Sequence, residues 1–301
     1  SATVRGDATN WLLRADSLPD MTQEQAEAGT DTVRRATTAQ RISQAITALA
    51  TMPKNHIAGL NCSNDTDTDH DILVAVGEAR DAADGEDMNL GTAITKQIDA
   101  AWAVGDDAGG LDTGSVGNNT MYYVWLIKIP SSTVDVLLSA SATAPTMPTN
   151  YTLKRLIGAV ITDGSANIIA FTQVGDYFRY TGDVLLDVND ATSTTTHETG
   201  TLSAPPSSLA HVYIDITGVD GGSSVAAIGL IRPVGAADTT ARPEALAYSV
   251  GADGGTDLSG GSLSMMAFIL LDSSKQMEYG GNSTTVKIST VGFVMLTRRD
   301  P

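Results

Sequence analysis

The chain has 301 residues, with 18 Lys+Arg against 35 Asp+Glu and a net charge of −17. That balance argues against nucleic acid and anionic membrane surfaces as partners, whose phosphates repel it. Apolar residues at 42% supply a core, the length suits two moderate domains, and no apolar run reaches the ~20 residues that span a bilayer, so no membrane insertion is expected.

Residues 1–52 are polar and rich in Glu, Gln, Ala and Arg. The start, Ser1 to Arg5, has no signal-peptide character. Residues 38–50 read as a helix, because Ala39, Ile42, Ile46 and Leu49 fall on one narrow seam. Thr37 and Gln40 have capping-box spacing, and Pro53 stops the helix. So small a stripe does not fold alone. It packs either on its own domain or against copies of itself, and the spacing leaves both readings open.

Residues 53–190 form a β-rich zone. Met121 to Ile129 is an aromatic and β-branched run suited to a strand buried on both faces. Strand-like runs follow at 134–138, 156–161, 168–171 and 184–188, and the spacing of Ile94, Ile98 and Trp102 predicts one interrupting helix. Asp163 to Asn167 is a hairpin turn candidate. The Thr/Ser-rich stretch 189–206, ending in Pro205-Pro206, reads as a linker. Residues 191–301 then form a second zone, with strand-like runs at 212–216, 225–231, 263–271, 286–288 and 291–296. Short strands at this rhythm, without alternating helices, predict a mainly β fold of two β-sandwich or jelly-roll-like modules behind a short α-helical segment.

Catalytic signatures fail on inspection, and the chain is read as no enzyme. Asp112-Thr113-Gly114-Ser115 spells an aspartic-protease element, but that chemistry needs a second carboxylate element and none exists in the sequence. Ser115 lacks the first glycine of a nucleophile elbow, since Thr113 stands there. His56, His70, His197 and His211 have no metal-ligand spacing. Cys62, the single cysteine, excludes an internal disulfide, reads as a buried inert thiol and points to a reducing compartment. Asp65, Asp67, Asp69 and Asp71 alternate as in the first half of a calcium loop, but His70 and Val76 stand where an EF-hand needs Gly and Glu. A looser calcium site stays open there beside a plain acidic loop. No cofactor is expected.

The stretch Ala26-Glu27-Ala28-Gly29-Thr30-Asp31, followed by Arg41-Ile42-Ser43-Gln44-Ala45-Ile46, resembles an N-terminal motif of tailed-bacteriophage tail fibres. The departure is Thr37-Thr38, where that family usually has Thr-Pro; Thr38 loses only preorganisation of the first turn. Softer similarity to phage structural proteins runs through Asn55 to Leu60, Gly77 to Asp81, Ala100 to Gly105, Gly109 to Gly114, Tyr123 to Ile127 and Pro145 to Pro148.

The resemblance implies a virion protein of the phage tail, assembled in the host bacterial cytoplasm as a homotrimer. Ala28, Gly29, Thr30, Asp31, Ala39, Ile42, Ile46 and Leu49 become its attachment and trimerisation residues. The implied partners are other tail or baseplate proteins and a host surface glycan or outer-membrane receptor, with receptor-binding loops unassigned. A head fibre or capsid decoration protein shares the same composition. A capsule or lipopolysaccharide depolymerase is disfavoured by the lack of a long β-helix repeat.

Overall fold

The structure is a computed structural model that describes residues 22–28, 38–182, 185–193, 198–218, 227–236, 248–250, 262–282 and 284–298. The chain is mainly β, and its contacts divide it into two compact units, Ser1–Pro53 and Lys54–Pro301.

In the first unit, α1 (Gln23–Ala28) packs on α2 (Ala39–Leu49). The expected helix is present, but its cap differs. Thr38 accepts the Arg41 amide at 3.3 Å, so Arg41 occupies the third helical position and has no acceptor to complete a capping box. Thr37 lies outside the described residues. A reciprocal box instead starts α1, where Thr22 Oγ1 accepts the Gln25 amide and Gln25 Oε1 accepts the Thr22 amide.

The second unit contains three sheets among the described residues. β1 (Ile57–Gly59), β4 (Gly77–Arg80) and β5 (Asp87–Leu90) form a small antiparallel sheet. The large sheet begins with β10 (Leu153–Ile161), β8 (Met121–Lys128), β9 (Val134–Ser139), β7 (Ala108–Leu111), β6 (Ile94–Ala101), β3 (Asp71–Val74) and β2 (Cys62–Asn64). It continues through β11 (Phe171–Val174), β12 (Tyr177–Tyr180), β20 (Thr284–Val294), β15 (Leu209–Gly218) and β18 (Ser262–Leu270), while β13 (Leu185–Ser193) also pairs with β20. β7 runs parallel to both its neighbours, and the other pairings are antiparallel. A four-stranded sheet orders β14 (Glu198–Thr201), β19 (Gln276–Asn282), β16 (Ala227–Pro233) and β17 (Tyr248–Val250). It contacts β13 and β20, with Leu202, Ile231 and Met277 buried in the common core.

The division expected at 190/191 falls within β13, whose partner β20 comes from the chain's last quarter. The expected linker supplies the end of β13 and all of β14, while 194–197 lie outside the described residues. The runs at 286–288 and 291–296 are one strand, β20, followed by a 3-10 turn Leu296–Arg298.

The helix expected over Ile94 to Trp102 is a strand. Spacing by four also satisfies a period of two, so Ile94 and Ile98 share one strand face with Lys96, all buried. β-branched Ile94, Thr95 and Ile98 suit the pleat better than a helix. Lys96 can sit there because its ammonium meets Asp135 Oδ1 at 2.8 Å and donates to the carbonyls of Ala103 and Gly105. Gly105 N–H donates back to Asp135 Oδ2, and the Trp102 ring lies 5.4 Å below the ammonium. Burial pulls the Lys96 pKa down, and the bond to Asp135 opposes that fall. Beside it β6 and β7 approach so closely that a Cβ on Gly109 would lie 2.0 Å from Ala101 O.

The largest interior tie is Arg298, 2% exposed. Its Nε donates to Ile157 O at 2.8 Å, Nη1 to Gly175 O and Asp176 Oδ1, and Nη2 to Gly59 O and Leu60 O. Arg155 Nη2 completes the link by donating to Arg298 O at 2.7 Å. An ammonium cannot reproduce this planar fork. Arg298→Lys should therefore lower unfolding free energy by about 3 kcal/mol in urea titration, since several buried carbonyls lose their donor. An unchanged midpoint would refute the fork's structural role.

Candidate functional site

The attachment residues named from the sequence lie in the first unit. Ala28 ends α1 and is exposed, whereas Gly29, Thr30 and Asp31 lie outside the described residues. On α2, Ala39 is exposed, and Ile42 and Ile46 are 49% and 63% exposed. Leu49 is the last residue of α2, and its side chain is outside the described set. Arg41, Gln44 and Ala45 are the half-buried positions of the helix. The helix is thus held in place while its isoleucines stay open to solvent, at a cost of roughly 1 kcal/mol or more each relative to burial.

The decoy motifs resolve into turns and caps. Asp112 follows β7, and its Oδ2 accepts the Thr146 amide, while Gly114 takes φ +78 in the turn beyond. Asp163 Oδ1 accepts the amides of Ser165 and Asn167, and Thr162 bridges Ile168, which confirms the predicted hairpin turn. In the Asp-rich loop, Asp65 accepts Thr95 Oγ1, and Asp67 accepts the Asp69 amide and His70 Nδ1. Asp67 caps the loop and Asp65 ties it to β6, and no group of three or more His, Cys, Asp or Glu among the described residues is placed to hold a metal ion.

Cys62 is buried, and burial pushes its thiol up to about 12 against the opposing charge of Arg298. His56 faces Glu78 at 3.2 Å, not the thiol. His211 Nδ1 meets Tyr177 Oη at 2.7 Å and its ring stacks on Phe268. His197 lies outside the described residues.

A second open surface escaped sequence reasoning. On β15 and β18, Tyr213, Met266, Phe268 and Leu270 are 36%, 53%, 55% and 47% exposed. Both faces of β18 are apolar, so its alternation marks a strand without showing which face stays open. No described helix is long and apolar enough to cross a membrane.

The chain matches no protein-family model and no curated protein sequence. The site therefore rests on its own geometry: among the described residues, two apolar surfaces, one in each unit, are open in the single chain.

Two measurements check the buried and exposed groups. Ellman's reagent at pH 8 should find no reactive thiol in the native chain and one per chain in urea, because only the thiolate reacts. The His70–Asp67 pair gives a pH signature. The bond to Asp67 raises the His70 pKa, so its contribution is complete below the unfolded value near pH 6.5 and is lost as pH rises through the folded value. The bond to His70 lowers the Asp67 pKa, so that contribution is complete above about pH 4 and is lost as pH falls through the folded value. The melting temperatures of wild type and His70→Gln should thus differ most near pH 5 and converge above about pH 8. A pH-independent difference would refute the pairing.

Proposed function

We propose that this chain is a structural virion protein of a tailed bacteriophage, a tail fibre or baseplate-attached fibre that mediates attachment to the host surface. The observation that carries the reading is the open Ala39–Ile42–Ile46 stripe on a capped helix, a few residues beyond the Ala26-to-Asp31 segment that resembles tail-fibre N-termini. Burial of that stripe needs partners, and three parallel copies of α2 bury a narrow seam as a short three-stranded coiled coil. The N-terminal unit then aligns and anchors a homotrimer, and the β unit, read as sandwich modules, projects toward the host.

Adhesion requires no catalytic group. Three weak sites presented together gain strength from simultaneous engagement. A glycan or outer-membrane receptor fits the polar Gly/Ser/Thr loops, which supply hydrogen bonds to sugars. The −17 charge suits a solvated exterior element that does not stick to nucleic acid.

Light scattering on the full chain should give three times 31.2 kDa, and Ile42→Asp/Ile46→Asp should reduce it to a monomer with its β unit intact. Labelled antibody should place the protein on the tail by electron microscopy, and purified trimer should compete with phage adsorption across a panel of proteobacterial strains. Label on the head, with no competition, would replace the reading with a head fibre or capsid decoration protein.

A further inference from the structure

The β15–β18 end of the large sheet presents one apolar face outward. The register sets Tyr213 opposite Met266, His211 opposite Phe268 and Leu209 opposite Leu270. Across β20 the rows continue, because Tyr213 and Leu186 both face Ser289, while His211 and Arg179 both face Gly292. A Cβ on Gly292 would lie 2.3 Å from Phe178 O, so this close approach of β12 and β20 requires glycine. The alternate residues Ala210, Val212, Ile214, Ile216 and Ile269 point inward and are buried. The outward rows are therefore a second face, not a frayed part of the core.

β18 is the last strand in the sheet order among the described residues. Its sequence, Ser262-Leu263-Ser264-Met265-Met266-Ala267-Phe268-Ile269-Leu270, contains no charge and no proline. An edge strand that stays in water is normally guarded by Lys, Pro or a bulge, because an open apolar edge recruits other chains.

We propose that this face, made by Leu186, Tyr213, Met266, Phe268 and Leu270, packs against another copy of the same chain. The inference rests on the assembly reading above and assigns the β unit its own interface. Three physical arguments select a second copy as the occupant.

The first is charge. Two copies of a −17 chain repel each other over most of their surfaces, but this face carries exposed Arg179 and Lys287 beside a single half-buried carboxylate, Asp215. Burial and Arg179 both lower the His211 pKa, so neutral pH adds no further charge there. The described residues of this face therefore lack the excess of carboxylates that sets the net charge of the chain.

The second is area. Five side chains at 36–55% exposure leave on the order of 400 Å² of apolar surface open, about half of one partner's share of a standard interface. Such a patch matches the largest one on a typical monomer, which is often functional, and is too small to drive tight binding to a free partner.

The third is tethering. Copies gathered by α2 hold their β units at an effective concentration in the mM range, at which a patch of this size is occupied. A free partner gains no such advantage.

The test is peroxide oxidation of methionine, read by peptide mass spectrometry on the full chain beside light scattering. Met266 should oxidise at least about tenfold more slowly in the assembled wild type than in Ile42→Asp/Ile46→Asp, since attack on the sulfur follows exposure. Phe268→Asp, at a position exposed in the single chain, should free Met266 while the melting transition of the fold persists. Equal oxidation rates in a wild type that still weighs three copies would overturn this interface and leave the α2 assembly standing. Continued assembly of the α2 variant, with Met266 protected until Phe268→Asp is added, would support this face and remove α2 as the organiser. A monomeric wild type would overturn both.

Discussion

The buried guanidinium of Arg298 is the constraint on which the second unit closes. Five donors reach three separate parts of the chain: the end of β1 with Leu60, the middle of β10, and the β11–β12 turn. A charge at 2% exposure is tolerable only because every branch of the fork meets an acceptor and Asp176 supplies a carboxylate. The same positive field acts on Cys62, where it opposes the burial that raises the thiol pKa. The Lys96–Asp135 pair solves the same problem more locally. It binds the segment around Ala103 and Gly105 between β6 and β9, and both charges are at most 1% exposed. Both devices spend desolvation free energy to specify one arrangement of loops, the role in which buried ions contribute most clearly.

How much of this was legible follows from where the signal resides. Met121 to Lys128 was readable because a strand buried on both faces is a continuous apolar run. The Asp163-to-Asn167 turn was readable because Asp carries its own cap. β1 to β5 were not, since three- and four-residue strands give too few alternations to count. β6 was misread because a spacing of four belongs to both periods, and a buried Lys96 at its centre carries no mark of burial in the sequence. Only the tertiary position of Asp135, almost forty residues on, makes it a core residue. Arg298 was invisible for the same reason, because all its acceptors but Asp176 are backbone carbonyls that leave no mark in sequence.

The open surfaces divide in the same way. The α2 seam was visible as spacing, but whether its own unit would cover it was a question of packing, and Ile42 and Ile46 remain largely exposed. The β18 face was hidden by its partner face, since apolar residues on both sides look like ordinary core. Residues whose motifs resemble chemistry proved architectural: Asp112 and Asp67 each accept backbone amides. That use of Asp is common where turns are many and tight.

β20 lies between β15 on one side and β12 and β13 on the other, and the Arg298 fork follows it within a few residues. During synthesis at about 5–20 residues per second, the earlier strands therefore emerge long before the strand that joins them. Until β20 leaves the ribosome, the edges of β12, β13 and β15 that it joins have no strand to pair with, and the carbonyls of Gly59 and Ile157 wait for their donor. The order of translation leaves the nascent chain open to misassociation at these edges until β20 has emerged.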